Sequence, residues 1–264
     1  MKRLMSVVVV LLLSSFAVEA QILSIEVLKP QFVFAGAKPT FSTTAWFATL
    51  QIPLYKHFQF VGQLPFAHAE LKDGRVPAPG NTIGNPAFGL RLDHEKFHLD
   101  FGLRLPFAKT GFAGFVGALA DIDRQEAFVP DIIPLYGMIK TKLSLGKFSI
   151  RPYGGATFTV KIERDQLRFD YLKAVYRTRA NDGEFFLLYG GEGGLEFGKF
   201  YLGGAYNART WLTSGASFGT SSVNQVTLRA KLDFAKVVPG AIFRFPIDDI
   251  LLDNLFGVYC TFNL

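Results

Sequence analysis

Four histidines, one cysteine and a glycine-rich run are the residues of this 264-residue chain whose types could carry chemistry. A nucleophile needs a base within hydrogen-bond reach, and a His two places from a Ser on one strand face would supply it. His57, His68, His94 and His98 are instead followed two places on by Gln59, Glu70, Lys96 and Asp100. His98 and Asp100 share a parity and could form a dyad, but no Ser or Thr is presented to them. His68 and Glu70 could ligate a metal, although a His on a surface loop is far more often solvated. Gly190-Gly191-Glu192-Gly193-Gly194 looks at first like a phosphate loop, yet it lacks the Lys-Ser/Thr ending and lies within a strand pattern. A thin, bent stretch of sheet, with Tyr206 over Gly191, is the better account. Cys260 stands alone, which excludes an internal disulfide and a multi-cysteine zinc site. The expectation is a protein that is not an enzyme, with no catalytic residue, metal or cofactor.

What remains is charge placed at alternate positions, and the stretch Phe97–Phe107 shows how it is placed. Phe97, Leu99, Phe101, Leu103, Leu105 and Phe107 alternate with His98, Asp100, Gly102, Arg104 and Pro106. That is the period of a strand, with one apolar face and one that can hold charge. A soluble sheet turns the apolar face to a core. A membrane barrel turns it to lipid and keeps a polar lumen.

Composition favours the second. The chain begins with Lys2 and Arg3, an apolar run from Met5 to Leu13, then Ser14 to Ala20. This reads as a secretory signal peptide over residues 1–20, leaving 21–264 as one barrel domain. No later segment has the roughly 18 uninterrupted apolar residues of a spanning helix. Yet 49% of the residues are hydrophobic and 28 are Phe. The net charge of +6 is modest and no basic run occurs, so nucleic acid is excluded as a partner.

Strands are expected at 22–35, 40–52, 58–66, 82–92, 97–107, 131–145, 148–160, 184–197, 200–212, 224–234, 241–247 and 255–264. This makes an all-β, antiparallel up-and-down transmembrane barrel of about twelve strands, with ten or fourteen as alternatives. Short turns at 54–56, 93–96, 146–147, 198–199 and 235–240 alternate with longer links at 70–81, 108–130, 161–183 and 213–222. Bacterial barrels keep short periplasmic turns and longer external loops, and an even strand count puts both termini on the periplasmic side. A soluble sandwich has no reason to sort its loops by length.

Two resemblances join this reading. Val258, Cys260, Phe262 and Leu264 alternate outward to the last residue, which resembles the terminal signal of bacterial outer-membrane barrels, with Leu in place of the usual Phe. Gly84-Asn85-Pro86-Ala87-Phe88-Gly89-Leu90-Arg91-Leu92 resembles a segment of transporter-like outer-membrane proteins of the phenol-degradation MetA-pathway type. The resemblance implies a location in the bacterial outer membrane. The implied partners are outer-membrane lipid, the barrel-assembly machinery acting on the C-terminal strand, and a small solute.

With the apolar face on lipid, the ionisable residues of the lumen are Arg91, His98, Asp100, Arg104, Lys140, Lys142, Arg151, Glu192, Glu196, Arg209, Arg229, Lys231, Asp233 and Arg244. Pairing across the turns sets Arg91 against His98, Asn85 against Arg104, Lys142 against Arg151, Glu196 near Tyr201 and Gly194 against Gly203. Bases outnumber acids and lie mostly near the short-turn ends. They form either a selectivity ring for anions or a set of ion pairs that fills a narrow barrel. In the first case Arg104→Glu changes ion preference. Tyr136, Met138, Tyr153, Phe186, Leu188, Tyr201 and Trp211 also point inward, as an amphipathic pocket or as interior packing against a plug. The function expected is a pore or facilitated-uptake channel for a small solute, anionic or aromatic. The alternative is a structural or surface-interaction barrel without transport.

Overall fold

The computed structural model describes residues 21–32, 41–71, 80–109, 111–162, 183–215, 217, 219–248 and 252–264. The expected signal peptide and nearly all of the 161–183 loop lie outside them. The strands are β1 (Ile22–Phe32), β2 (Phe41–Tyr55), β3 (Phe58–Leu71), β4 (Gly80–Ile83), β5 (Ala87–Asp93), β6 (Phe97–Arg104) and β7 (Ile132–Thr141). They continue with β8 (Leu143–Leu145), β9 (Phe148–Lys161), β10 (Gly183–Phe197), β11 (Phe200–Trp211), β12 (Ser222–Leu232), β13 (Val237–Pro246) and β14 (Leu252–Asn263).

All fourteen belong to one antiparallel sheet, and twelve of them close it into a ring. Of the other two, β4 extends the line of β5 along β3, and β8 extends the line of β7 along β9. β1 closes the ring on β14, from Ile22 opposite Asn263 upward. Closure leaves no edge of unpaired amides in lipid, which is the condition for a sheet to span a membrane.

Alternation sorts the side chains as the sequence predicts. Trp46, Phe88, Phe101, Leu202, Leu228 and Phe256 are exposed on the outer face, which is the apolar outward face of the transmembrane barrel pattern. The tight connections at Gly146-Lys147 and Gly198-Lys199 use a glycine at positive φ, 63° and 60°, which other residues reach only with strain.

Several details correct the sequence reading. The predicted strand 82–92 is broken at Gly84-Asn85-Pro86, which separates β4 from β5. The turn after β5 is centred on Glu95-Lys96, because His94 and Phe97 exchange backbone hydrogen bonds. The register therefore moves by two residues. Arg91 lies opposite Asp100, Asp93 opposite His98 and Ala87 opposite Arg104. An even shift keeps every side chain on its face but changes its partner. The pairings of Glu196 with Tyr201 and Gly194 with Gly203 stand as predicted.

The inner wall is thinned by glycines that tyrosines cover. A Cβ on Gly194 or Gly203 would lie 2.4 or 2.5 Å from the Tyr201 hydroxyl. On Gly89 or Gly102 it would lie 2.9 or 2.6 Å from that of Tyr136, and on Gly240 it would lie 2.2 Å from the Tyr259 ring. Tyr206 is paired with Gly191 but does not cover it. The aromatic cover of this glycine run lies on the lumen side and comes from Tyr153 over Gly190 and Tyr201 over Gly194, which fits an inner surface crowded by barrel curvature.

Candidate functional site

The main departure from expectation is the 108–130 link, which folds inward. Phe112–Ala120 form a helix, α1, followed by a 3-10 segment over Ile122–Ala127. The helix sequence Phe-Ala-Gly-Phe-Val-Gly-Ala-Leu-Ala has no polar face, as expected of a helix buried all round. Small residues let it approach the wall: a Cβ on Gly117 would lie 2.8 Å from the Phe128 ring and 3.0 Å from Ala67. Val116, Leu119, Phe128 and Val129 join Leu28, Phe32, Ala45, Phe47, Ala67, Phe186, Trp211 and Leu255 in one apolar core. That core fills the long-loop half of the barrel. Phe186 and Trp211, predicted to point inward, are buried in it, stacked at 5.9 Å between ring centroids.

Below the helix the plug is fixed by charge. Asp121 accepts from Arg124 Nε at 2.7 Å and pairs with Arg244 Nη1 at 2.9 Å. Arg124 reaches on to Glu26 of β1 at 2.7 Å and lies 3.7 Å above the Phe47 ring. Arg209 of β11 forms a two-pronged pair with Glu126 and donates to the Ile122 carbonyl at 3.2 Å. Asn85, fully buried, donates to the carbonyls of Glu126 and Val129 at 2.8 and 2.6 Å and accepts from the Ala108 amide at 2.7 Å. One side chain thus ties both ends of the plug to the break between β4 and β5.

Asp121 and Asp123 titrate in opposite directions. Burial would raise Asp121, but Arg124 and then Arg244 outweigh it and hold the carboxyl below its ordinary value of 3.8. Asp123 is raised, by burial first and by Asp121 second. A depressed acid contributes stability above its unfolded pKa and loses it as pH falls through the folded value; a raised acid costs stability as pH rises through its folded value. Ionisation of Asp121 therefore holds the plug, and ionisation of Asp123 opposes it. Asp123→Asn should slow trypsin cleavage after Arg124 in the folded protein, and Asp121→Asn should speed it. Faster cleavage of Asp123→Asn than of wild type would contradict this assignment.

Under the plug lies a cavity of about 770 Å³ that reaches the short-turn end. Arg91, His98, Asp100, Arg104, Lys140, Lys142, Arg151, Glu192, Arg229 and Arg244 line it, with Tyr136, Met138, Tyr153 and Leu188. A smaller cavity of about 350 Å³ adjoins it and adds Lys231 and Tyr201. The charges are largely paired. Arg91 donates to Asp100 at 2.6 and 3.2 Å, and Lys140 approaches the same carboxylate at 3.7 Å. Lys142 and Arg151 lie 3.7 and 3.5 Å from Glu196 at the rim.

Four sequence-predicted roles are revised by this geometry. His98 pairs with Asp93, so the dyad with Asp100 does not form, since Arg91 and Lys140 occupy Asp100. Arg104 is buried under the plug, donating to the Asn85 carbonyl at 3.1 Å and to Gln63 at 2.8 Å. It braces the wall against the plug. Arg209 points inward but is sealed by Glu126 away from the cavity. Asp233 lies exposed past the end of β12, accepting from the Ala235 amide at 2.8 Å, so it caps a turn. Outside the barrel, His68 bonds Asn81 at 2.8 Å and stands 4.0 Å from Glu70.

Glu26, Asn85, Asp121, Asp123, Arg124 and Glu126 were not legible as site residues. The available signal was the uncharged run Phe112–Ala120, out of place in a solvated external loop, followed directly by Asp121-Ile122-Asp123-Arg124-Gln125-Glu126.

No protein-family model and no curated protein matches the sequence, so the resemblance at Gly84–Leu92 has no sequence-family support. Solved structures do match. An outer membrane channel from Pseudomonas putida F1 aligns with TM-score 0.62 at 9% identity, over 94% of this chain and 97% of that one. The translocator domain of the autotransporter NalP from Neisseria meningitidis aligns with TM-score 0.59 at 10% identity, over 99% and 95%. The NanC porin aligns with TM-score 0.52 at 7% identity, over 93% and 100%. In fold, this chain is a β-barrel of the bacterial outer-membrane type.

Proposed function

We propose that this chain is an outer-membrane channel for a small anionic or aromatic solute, held shut by its own residues 105–131. The observation that carries the reading is the division of the lumen into two halves. The long-loop half is sealed by an apolar core, and the other half is a charged cavity of about 770 Å³ lined by Arg and Lys. A barrel that served only as a scaffold would need no such cavity, because its lumen could be packed with apolar side chains throughout, as the other half is. Passage then requires the plug to move, and the ion pairs of Arg124, Arg209 and Arg244 set how often it does.

In this reading the outer apolar belt meets outer-membrane lipid, and Val258, Cys260, Phe262 and Leu264 present the C-terminal strand to the assembly machinery. The barrel has no catalytic role. Single-channel recording in planar bilayers, paired with liposome swelling, tests the proposal. Rare, brief openings of the wild-type protein are expected. Silence in both assays, from wild type and from a variant with a weakened plug, would instead favour the structural barrel that the buried apolar seal by itself suggests.

A further inference from the structure

The two cavities meet at Glu192. Arg151, Glu192 and Arg229 line both of them, so anything moving between the chambers passes these three side chains. Glu192 accepts from Arg229 Nη1 at 2.9 Å and from the Tyr201 hydroxyl, and stands 3.8 Å from Arg151 Nη1. One carboxylate is thus shared by two guanidinium groups. The second contact of Arg151, to Glu196, is long at 3.5 Å. The Nε atoms of Arg151 and Arg229 are both buried without a hydrogen-bond partner. Lys231 adds charge on the far side, 5.2 Å from the Tyr201 ring.

Two incompletely satisfied arginines at a constriction recognise a particular chemistry. The guanidinium fork matches a planar carboxylate with two parallel hydrogen bonds. A buried donor left unpaired costs free energy that an incoming acceptor recovers. The surroundings suit an apolar body behind that carboxylate: Tyr201 on one side, Tyr153 and Met138 on the other. Glu192 is the internal occupant of the same donors, so it competes with a ligand and keeps binding weak enough for release, as conduction requires.

Building on the channel reading, we propose that Arg151 and Arg229 form the binding site for the carboxylate of a small aromatic acid, which displaces Glu192. The probes are sodium benzoate, its neutral analogue benzamide and inorganic phosphate. Each is titrated calorimetrically into the folded protein in detergent at fixed ionic strength. Benzoate should bind at least tenfold tighter than benzamide and tighter than phosphate. Arg151→Gln and Arg229→Gln should each weaken benzoate about tenfold, as expected for loss of a charged hydrogen bond. Glu192→Gln should tighten benzoate about tenfold, an effect that a merely structural glutamate would not produce. Heat-modifiable gel migration checks that each variant is folded. Equal affinity for benzoate and benzamide, tighter binding of phosphate, or weaker benzoate binding by folded Glu192→Gln would each overturn the assignment. Conduction in bilayers without benzoate binding sinks the site and leaves the channel. Binding without conduction does the reverse.

Discussion

Arg209→Ala should convert rare openings into sustained conductance. Arg209 and Glu126 are both buried and pair through two contacts, and the Arg209 guanidinium also lies 4.1 Å from the centre of the Phe186 ring. Removing the arginine leaves the Glu126 carboxylate inside the plug without its cation. Breaking a buried pair from one side costs about 3–5 kcal/mol. The plug can escape that cost by leaving the barrel, where water solvates Glu126. The equilibrium between docked and released plug should therefore shift by roughly two to four orders of magnitude. Planar-bilayer recordings should show the change as a rise in open probability, with trypsin cleavage after Arg124 rising in step. The double variant Arg209→Met with Glu126→Met should close the barrel again, because an apolar pair of similar volume carries no desolvation cost. If Arg209→Ala gates like wild type, the pair does not hold the plug.

Asn85→Ala has a comparable effect with a different signature. Its amide satisfies the Glu126 and Val129 carbonyls and the Ala108 amide, three backbone groups of buried residues. Each orphaned group costs about 1–3 kcal/mol, so the loss is at least about 3 kcal/mol at this one position. The ion pairs of Arg124 and Arg209 remain, so the plug stays inside while its two ends come loose. Hydrogen exchange should separate this from release. The Ala108 amide should exchange roughly a hundredfold faster, while amides within α1 change far less. An unchanged rate at Ala108 would show that the clasp carries no load.

The wall of this barrel was legible because a strand with an apolar outer face and a lumen-facing inner one writes its geometry into every second residue. Phe97–Phe107 alone separates the two faces, and the sorting of loops by length supplies the ring. Partners were less legible. Placing the β5–β6 turn one residue early, and so the register two residues off, left every side chain on its face but gave Arg91 to His98, so the Arg91–Asp100–Lys140 cluster could not be seen. The plug was least legible. Phe112–Ala120 has no periodic polar face, since most of α1 is buried and only Phe112 and Phe115 are partly exposed, and periodicity is the signal by which a helix is read. Arg104 and Arg209 lie on the inner face in contact with the plug segment. Their burial depends on a segment from elsewhere in the chain, which parity does not reveal.

The seam of the barrel sets an order of events in biosynthesis. β1 pairs with β14, and the amide of Leu264 reaches the carbonyl of Gln21 at 2.8 Å, so the first strand made waits for the last. Pairing at that separation is the slowest kind, because the whole intervening chain must be closed into a loop. Residues 105–131 emerge long before β14 and carry Arg124, whose carboxylate partner Glu26 sits on the waiting strand. The plug is thus bound to the strand that forms one side of the closing seam.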